Sequence, residues 1–289
     1  MNVTMKMKIR SKVKKDNTLV LKSDKQKVDS MHDNPKYVAS NKLKDKVAII
    51  TCGDNGIGKA VAIAFAKEGA NIVISYMNEE ESALDTKEKV EKYGRKCLIF
   101  KGDLSMSSMS TSIVKQTIKE FGKLDILINN ADELYQNNLL DNVTEENLAK
   151  IFRINVFSMF YLTRAALKYL KKGASIINTI SMAYKEHPKL LNYSSTKGAN
   201  LSFTYSLAAY LNTKGIRVNG IAHGPILSSL IPTNSSSYNS LNMFGQSSAF
   251  NRGPEHPFEL APAYVYLASN IDSMYVTGQI LNVSGVPVN

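Results

Sequence analysis

Short, continuous apolar runs alternate with longer amphipathic segments along most of the chain. The first run, Val47-Ala48-Ile49-Ile50-Thr51, is followed by a helical pattern from about Ile57 to Lys67. A run that is apolar at every position predicts a strand buried on both faces, as in parallel sheets. Six further runs of this kind occupy residues 71–75, 97–100, 124–128, 174–178, 216–221 and 279–283. Their alternation with helices predicts one α/β domain with a doubly wound, parallel, seven-stranded sheet.

The positive charge of the chain is concentrated near its N-terminal end. Residues 1–46 hold 13 Lys and Arg against 5 Asp and Glu, whereas residues 47–289 hold 23 against 20, which together give the net charge of +11. Residues 1–43 show no regular period, so we expect a basic, partly flexible extension, with the folded domain over residues 44–289. A tail that binds nucleic acid or a membrane surface is the alternative, but a solvated segment that drapes over the body or a neighbouring subunit is the better expectation.

Several classes of protein do not fit this sequence. It contains no apolar run of membrane-spanning length, and no apolar stretch follows the early lysines as in a secretory signal. The two cysteines, 45 positions apart, do not make a disulfide framework, which favours a cytoplasmic protein. The four histidines lack the spacing of metal ligands, so we expect no metal site.

Two segments carry hints of a site. The loop after the first strand, Thr51 to Lys59, contains Gly53, Gly56 and Gly58 and leads into a helix, so it could cradle a pyrophosphate at the helix N-terminus. A purely structural turn is the alternative. Residues 228–252 are polar and without periodicity, which predicts a substrate lid or, as the alternative, a plain surface loop.

The motifs together resemble the short-chain dehydrogenase/reductase family across about residues 44–289. Residues 51–58 are similar to its Thr-Gly-x-x-x-Gly-x-Gly cofactor motif, and the chain also carries, in family order, Asn129-Asn130-Ala131, Ser181 and Tyr193-x-x-x-Lys197. Residues 60–69 and 261–269 resemble an N-terminally extended bacterial branch of the family, described as general-stress or glucose/ribitol-dehydrogenase-like. The resemblance implies a Rossmann-type fold and hydride transfer between NAD or NADP and a secondary alcohol or sugar hydroxyl and its carbonyl.

The catalytic set that the resemblance implies is Tyr193, Lys197, Ser181 and Asn155. Tyr193 and Lys197 are four residues apart, so they share one helix face. The Lys197 ammonium, with an oxidised nicotinamide, is expected to lower the phenol pKa of Tyr193 by about 3 units and so make it an acid/base. Ser181 would hold the substrate oxygen, and Asn155 would bend its helix and hold a water. An ordinary helical Tyr and a satisfied buried Asn are the structural alternatives.

The resemblance also implies a nucleotide site, with Asp103 at the adenine amino group and Lys197 at the nicotinamide ribose. Tyr76 stands at the position that usually selects between NAD and NADP; because no Arg or Lys occupies residues 76–78, NAD is slightly preferred. The expected cofactor-binding residues are Cys52, Asp54, Asn55, Gly56, Ile57, Gly58, Tyr76, Asp103, Leu104, Asn129, Ala131, Lys197, Gly224, Ile226 and Ser228.

Some positions depart from the family pattern. Cys52 replaces the first motif glycine, Asp132 follows Asn-Asn-Ala where Gly or Ala is usual, His223 replaces a proline, and Ser228 replaces a threonine. Ser181 precedes Tyr193 by 12 residues, one fewer than is usual, which could displace Ser181. The alternative function is therefore a catalytically impaired dinucleotide-binding or scaffold protein of the same fold.

Partners are expected to be small molecules and further copies of this chain. The helices near residues 151–170 and 202–211 carry apolar residues on more than one face, which predicts a subunit contact in addition to the sheet. The family commonly forms tetramers through the matching helices, so a homotetramer is expected, with no membrane partner and nucleic acid disfavoured.

Overall fold

A computed structural model describes residues 31–134, 140–185, 190–227 and 255–285. Within them, seven parallel strands form one sheet in the order β3-β2-β1-β4-β5-β6-β7. The order reverses between β1 and β4, which is the switch point of a doubly wound fold. The predicted fold class is confirmed. The strands are β1 (Val47–Ile50), β2 (Asn71–Tyr76), β3 (Cys97–Lys101), β4 (Ile126–Asn129), β5 (Ser175–Ser181), β6 (Arg217–His223) and β7 (Ile280–Val283).

Helices cover both faces of this sheet. The helices are α1 (Gly56–Lys67), α2 (Glu80–Glu91), α3 (Ser107–Phe121), α4 (Glu145–Phe152), α5 (Ser158–Ala166), α6 (Leu191–Leu211), α7 (Pro257–Ala268) and α8 (Asn270–Ser273). Successive strand residues point to opposite faces: Ile50 packs in the cluster formed by α1, α2 and α7, and Ile49 in the cluster formed by α3, α5 and α6. Burial on both faces explains why the strands read as continuous apolar runs.

Two local departures from the simplest pattern position the site. Between α4 and α5 the helix widens into a π-turn, Arg153–Phe157, with Asn155 buried at its centre. The expected bend at Asn155 stays a prediction, whereas the π-turn itself is of a kind that commonly accompanies functional sites. Strand β5 also runs three residues beyond the predicted 174–178, so Ser181 is the last residue of the strand rather than part of the following loop.

Residues 31–43 lie over the outside of α1 and are held by one buried carboxylate. Glu68 accepts hydrogen bonds from the Tyr37 hydroxyl at 2.5 Å, the Ser40 N–H at 3.1 Å and the Lys42 N–H at 2.8 Å. Leu43 is fully buried in the core. The rest of the predicted extension, residues 1–30, and the predicted lid, 228–252, lie outside the described residues. No helix in the described ranges is long and apolar enough to cross a membrane.

Candidate active site

The loops that follow the parallel strands converge at one edge of the sheet, where ligands bind in such folds. The loop after β1 contacts the end of β2, since the Gly53 N–H donates to the Ser75 carbonyl at 3.1 Å. It also contacts the end of β4, since the Asn130 amide donates to the Thr51 carbonyl at 3.0 Å. The expected cofactor residues and the expected catalytic residues are therefore brought to a common edge.

The loop after β1 has the form of a phosphate cradle. Asn55 caps α1, with its Oδ1 accepting from the Gly56 N–H at 2.7 Å, and Gly56 adopts a positive φ of 51°. A Cβ on Gly53 would lie 2.3 Å from the Ile74 side chain, and a Cβ on Gly58 would lie 2.2 Å from the Cys52 carbonyl. Only glycine fits at these two positions. A tight, glycine-dependent loop at a helix N-terminus fits a dinucleotide pyrophosphate.

Cys52 departs from this cradle in the way the sequence suggested. Its φ is +48°, in the left-handed region that a residue with a Cβ adopts at a cost of about 1–2 kcal/mol. Burial raises the pKa of its thiol to about 12, and the nearby Asp54 carboxylate acts in the same direction. The thiol is therefore protonated at neutral pH and is a poor nucleophile.

The end of β2, where the resemblance places the choice between NAD and NADP, is lined by the buried Tyr76 and by acidic residues nearby. Tyr76 is buried, and the hydroxyl groups of Ser82 and Thr86 donate to the Asp54 carbonyl, which ties α2 to the loop. Burial, with a smaller contribution from the Glu79 carboxylate, raises the pKa of Asp54.

The other expected cofactor residues line the same edge in order. After β3, Asp103 Oδ1 accepts from the Ser105 N–H at 2.8 Å, and Leu104 is buried beside it. After β6, the Gly224 N–H donates to the Val283 carbonyl, and Ile226 is buried. Asn129, at the end of β4, is buried, and its Oδ1 has no hydrogen-bond partner within the described part of the chain. Ile57 and Ala131 are half-buried, and Ser228 lies outside the described residues.

Tyr193 and Lys197 project together from the first two turns of α6. The Lys197 Nζ lies 5.1 Å from the centroid of the Tyr193 ring, and both side chains are buried. The Ser181 hydroxyl is within hydrogen-bonding reach of the Tyr193 side chain. The short spacing between Ser181 and Tyr193 in sequence therefore does not separate them in space.

Asp132 joins this pair, and it changes the electrostatics. Its Oδ2 accepts from the Tyr193 hydroxyl at 2.8 Å, and its Oδ1 lies 2.9 Å from the Lys197 Nζ. Burial and the Asp132 carboxylate raise the pKa of Tyr193 well above its ordinary value, although the Ser181 hydrogen bond lowers it slightly. In this arrangement the pKa of Tyr193 is raised and not lowered as Lys197 alone would predict, because the phenol is buried and because Asp132 offsets the charge of Lys197 and accepts a hydrogen bond from the phenol.

Asn155 fixes the loop that carries Asp132. Its Oδ1 accepts from the Glu133 N–H at 2.8 Å, and its Nδ2 donates to the Glu133 carbonyl at 2.9 Å and to the Thr196 hydroxyl at 3.2 Å. One side chain thus binds both backbone groups of Glu133 and reaches the helix that carries Tyr193 and Lys197. In this structure Asn155 acts as a positioning residue.

His223 borders the same centre from β6. Its Nδ1 lies 2.7 Å from the Gly224 carbonyl, so this nitrogen carries the proton. Burial lowers the pKa of His223, and the neighbouring Lys197 acts in the same direction. His223 is therefore neutral at pH 7. Across the described ranges no group of three or more His, Cys, Asp and Glu side chains could hold a metal ion.

A buried polar network that sequence reasoning missed supports the site from below. The Thr51 hydroxyl oxygen accepts from the Asn130 and Ala131 N–H groups, both at 2.7 Å. The Asn130 Oδ1 accepts from Thr179, whose hydroxyl also pairs with Tyr264 at 2.8 Å. These bonds hold the Asn-Asn-Ala segment, and therefore the start of the Asp132 loop, against the ends of β1 and β5. Their only signal in the sequence is Thr51 at the end of an apolar run.

Comparisons with known proteins identify the relatives of this chain. The family model described as Enoyl-(Acyl carrier protein) reductase matches residues 52–285. General stress protein 39 of Bacillus subtilis is 46% identical over 250 residues, 86% of each chain. NADPH-dependent aldehyde reductase 1, chloroplastic, of Arabidopsis thaliana is 44% identical over 86% of this chain and 88% of its own. Glucose and ribitol dehydrogenase of Daucus carota is 40% identical over 88% and 89%.

A solved structure extends the match to three dimensions. The short-chain dehydrogenase from Burkholderia cenocepacia J2315, in complex with NADP, superposes with a TM-score of 0.79 at 25% identity and covers 85% of this chain and 98% of its own. With the family-model match, the relatives and the arrangement of Ser181, Tyr193 and Lys197 at the sheet edge, the chain belongs to the short-chain dehydrogenase/reductase family of oxidoreductases.

Proposed function

We propose that this oxidoreductase uses NAD or NADP to interconvert a secondary alcohol or sugar hydroxyl and its carbonyl, with Tyr193 as the general acid/base. One observation carries the proposal: the buried Tyr193 and Lys197 side chains and the half-buried Ser181 lie together at the edge of the sheet where the nucleotide loop ends. Isolated residues of these types would have no reason to converge beside a glycine-dependent helix N-terminus.

The roles follow from the chemistry of each side chain. A bound nicotinamide supplies or accepts the hydride. The Ser181 hydroxyl donates to the substrate oxygen and holds it beside Tyr193, and Tyr193 gives or takes the proton on that oxygen. The Lys197 ammonium stabilises the phenolate that proton transfer leaves and would bind the nucleotide ribose. Asn155, through Glu133 and Thr196, positions the surrounding elements.

The relatives support the class of substrate and the cofactor type. One is named for NADPH-dependent aldehyde reduction, another for glucose and ribitol oxidation, and the Burkholderia enzyme holds NADP. The slight preference for NAD, based on Tyr76, has no support from these proteins. The proposal therefore covers both nucleotides, and a paired titration of NADH and NADPH distinguishes them.

Replacement of the phenol tests the assignment of Tyr193. Tyr193→Phe removes the proton donor, so turnover on an aldehyde and polyol panel should fall by at least about 100-fold, the usual contribution of general acid/base catalysis. Affinity for the nucleotide should change little. Tyr210→Phe, on the exposed end of the same helix, is the matched control. Near-normal turnover of Tyr193→Phe would refute the assignment.

A catalytically impaired nucleotide-binding protein is the second candidate, and two observations favour it. Cys52 holds a strained backbone in the phosphate loop, and Asp132 takes the hydrogen bond of Tyr193. This candidate predicts no turnover by the wild-type protein on any alcohol or carbonyl. Measurable wild-type turnover that depends on Tyr193 excludes it.

The assembly we propose is a homotetramer. Large apolar side chains are exposed on neighbouring elements: Phe157 in the turn before α5, Phe160 on α5 and Tyr205 on α6. Such a surface suits a contact between copies of the chain. A tetramer mass by light scattering, lost in Phe160→Ser, would support it.

The two free thiols suit a cytoplasmic location, which fractionation of cells would test.

A further inference from the structure

Asp132 is the residue at this centre that neither the proposed mechanism nor the resemblance assigns. Its side chain is only 9% exposed and that of Lys197 only 1%, so the ion pair between them is shielded from water. Its two oxygens serve two partners, the Tyr193 hydroxyl at 2.8 Å and the Lys197 Nζ at 2.9 Å. In the proposed reaction, the Tyr193 hydroxyl exchanges a proton with the substrate oxygen, and the Lys197 ammonium binds the nucleotide ribose.

The hydrogen-bond capacity of Tyr193 makes this contact exclusive. A phenol has one O–H donor, whereas a lysine ammonium has three. While the Tyr193 hydroxyl donates to Asp132, it has no proton to donate to a substrate carbonyl. Lys197 keeps spare donors, but the adjacent carboxylate offsets its charge.

We infer that Asp132 is a built-in competitor for substrate, an internal carboxylate that occupies the Tyr193 proton and offsets the Lys197 charge until it is displaced. The inference rests on the proposed function, and it assigns Asp132 an inhibitory role at that same site. Removal of the Asp132 carboxylate therefore increases binding of the reduced nucleotide and increases turnover.

The charges around Asp132 leave Lys197 as the cation that matters. The Asp132 carboxylate contacts Tyr193 and Lys197, which lie on α6. It also lies near His223 on β6, which burial keeps neutral. Cys52 from the loop after β1 and Tyr264 from α7 also sense its charge, and both hold protons at neutral pH. Glu133, next along the chain, is turned to Lys150 at 3.1 Å. Loss of the Asp132 charge therefore acts on Lys197 and on the phenol of Tyr193.

Two variants separate charge from shape. Asp132→Asn keeps the outline of the side chain and removes its charge, and Asp132→Ala removes both. NADH and NADPH are titrated against each by nicotinamide fluorescence, with little background because the chain has no Trp. Loss of one charged hydrogen bond that competes with ligand predicts about tenfold tighter binding and about tenfold higher kcat/KM, with Asp132→Ala above Asp132→Asn. Asp141→Asn, in the exposed turn Leu140–Asn142, is the control and should match the wild type.

A second readout needs neither nucleotide nor substrate. Ultraviolet difference absorbance follows phenol ionisation in the free protein. Subtraction of Tyr193→Phe isolates Tyr193 in the wild type, and subtraction of the Asp132→Asn/Tyr193→Phe double variant isolates it in Asp132→Asn. We expect Tyr193 to ionise at lower pH in Asp132→Asn than in the wild type, a change that a merely structural residue would not cause.

The two readouts keep the failures distinct. An unshifted Tyr193 titration, or a nucleotide affinity that is unchanged or weaker in both variants while the wild type binds, overturns the role of Asp132 and leaves the proposed function standing. If no form of the protein binds either nucleotide, the proposed function fails, and the phenol titration still decides whether Asp132 controls Tyr193.

Discussion

Thr51 offers the sharpest test of how the fold positions the site. Its buried hydroxyl oxygen accepts two backbone hydrogen bonds, from the N–H groups of Asn130 and Ala131, both at 2.7 Å. Thr51→Val keeps the shape of the side chain but removes the one oxygen that accepts both hydrogen bonds. Thr51→Ser keeps the hydroxyl and removes only the buried methyl group.

The size of the effect follows from these contacts. A buried N–H without a partner costs about 1–3 kcal/mol, so two of them, one only half-buried, cost about 3 kcal/mol. The added methyl group of valine returns about 0.8 kcal/mol of apolar burial. We therefore expect Thr51→Val to lose about 2 kcal/mol of unfolding free energy. Thr51→Ser should lose about 1 kcal/mol, the usual cost of deleting one buried methyl group.

Urea unfolding followed by far-ultraviolet circular dichroism measures both values, provided the slope with urea stays unchanged. A loss of 2 kcal/mol corresponds to a fall in Tm of about 4–8 °C in a domain of this size. The reasoning is refuted if Thr51→Ser is as unstable as Thr51→Val, because the hydroxyl would then contribute nothing. We also expect weaker nucleotide binding in Thr51→Val, since its released segment leads directly into Asp132.

Three further outcomes are expected. Cys52→Gly should bind NADH or NADPH more tightly. Its stability should change little, because relief of about 1–2 kcal/mol of backbone strain is offset by the greater chain entropy of glycine in the unfolded state. Cys52→Ala, which keeps the Cβ, should not gain affinity. His32 has a pKa lowered to about 4, mainly by burial, so its contribution to stability is present above pH 6.5 and is lost as the pH falls toward 4. That loss is about 2 kcal/mol after allowance for partial exposure, and it should be absent in His32→Asn when urea midpoints at several pH values are compared. Burial raises the pKa of Cys97 to about 12, so its contribution is present below its unfolded pKa and is lost as the pH rises toward 12; Cys97→Ala should show a shallower alkaline loss of stability in the same assay.

The strands and the outline of the site could be predicted from the sequence because their causes are local. A strand buried on both faces is mostly apolar, and β1, β2 and β4 follow this closely. Tyr193 and Lys197 share a face by helical spacing alone. Arg217 is an exception: it lies in the apolar run of β6, yet it is buried and donates to the Leu267 and Ala268 carbonyls at the end of α7. A helix C-terminus stabilises this cation, and no periodicity reveals that partner.

The electrostatics of the site could not be predicted because they depend on loop conformation. Asp132 reads in the sequence as one unusual residue after Asn-Asn-Ala. Only the turn of that loop, held by Asn155 and Thr51, places the Asp132 carboxylate against Tyr193, where it adds to burial in raising the pKa of the phenol. The four-residue spacing in the sequence predicts that Tyr193 and Lys197 lie close together. It does not predict that a carboxylate from the loop after β4 contacts both of them.

The most direct test of the central claim is a fluorescence titration of NADH and, separately, NADPH with the wild-type protein. We predict saturable binding of at least one of them at micromolar concentration, because the glycine-dependent loop after β1 leads directly into the N-terminus of α1, where a pyrophosphate can bind. Absence of binding to both nucleotides at millimolar concentration would contradict the account, since a protein that binds neither cannot be the dehydrogenase proposed here.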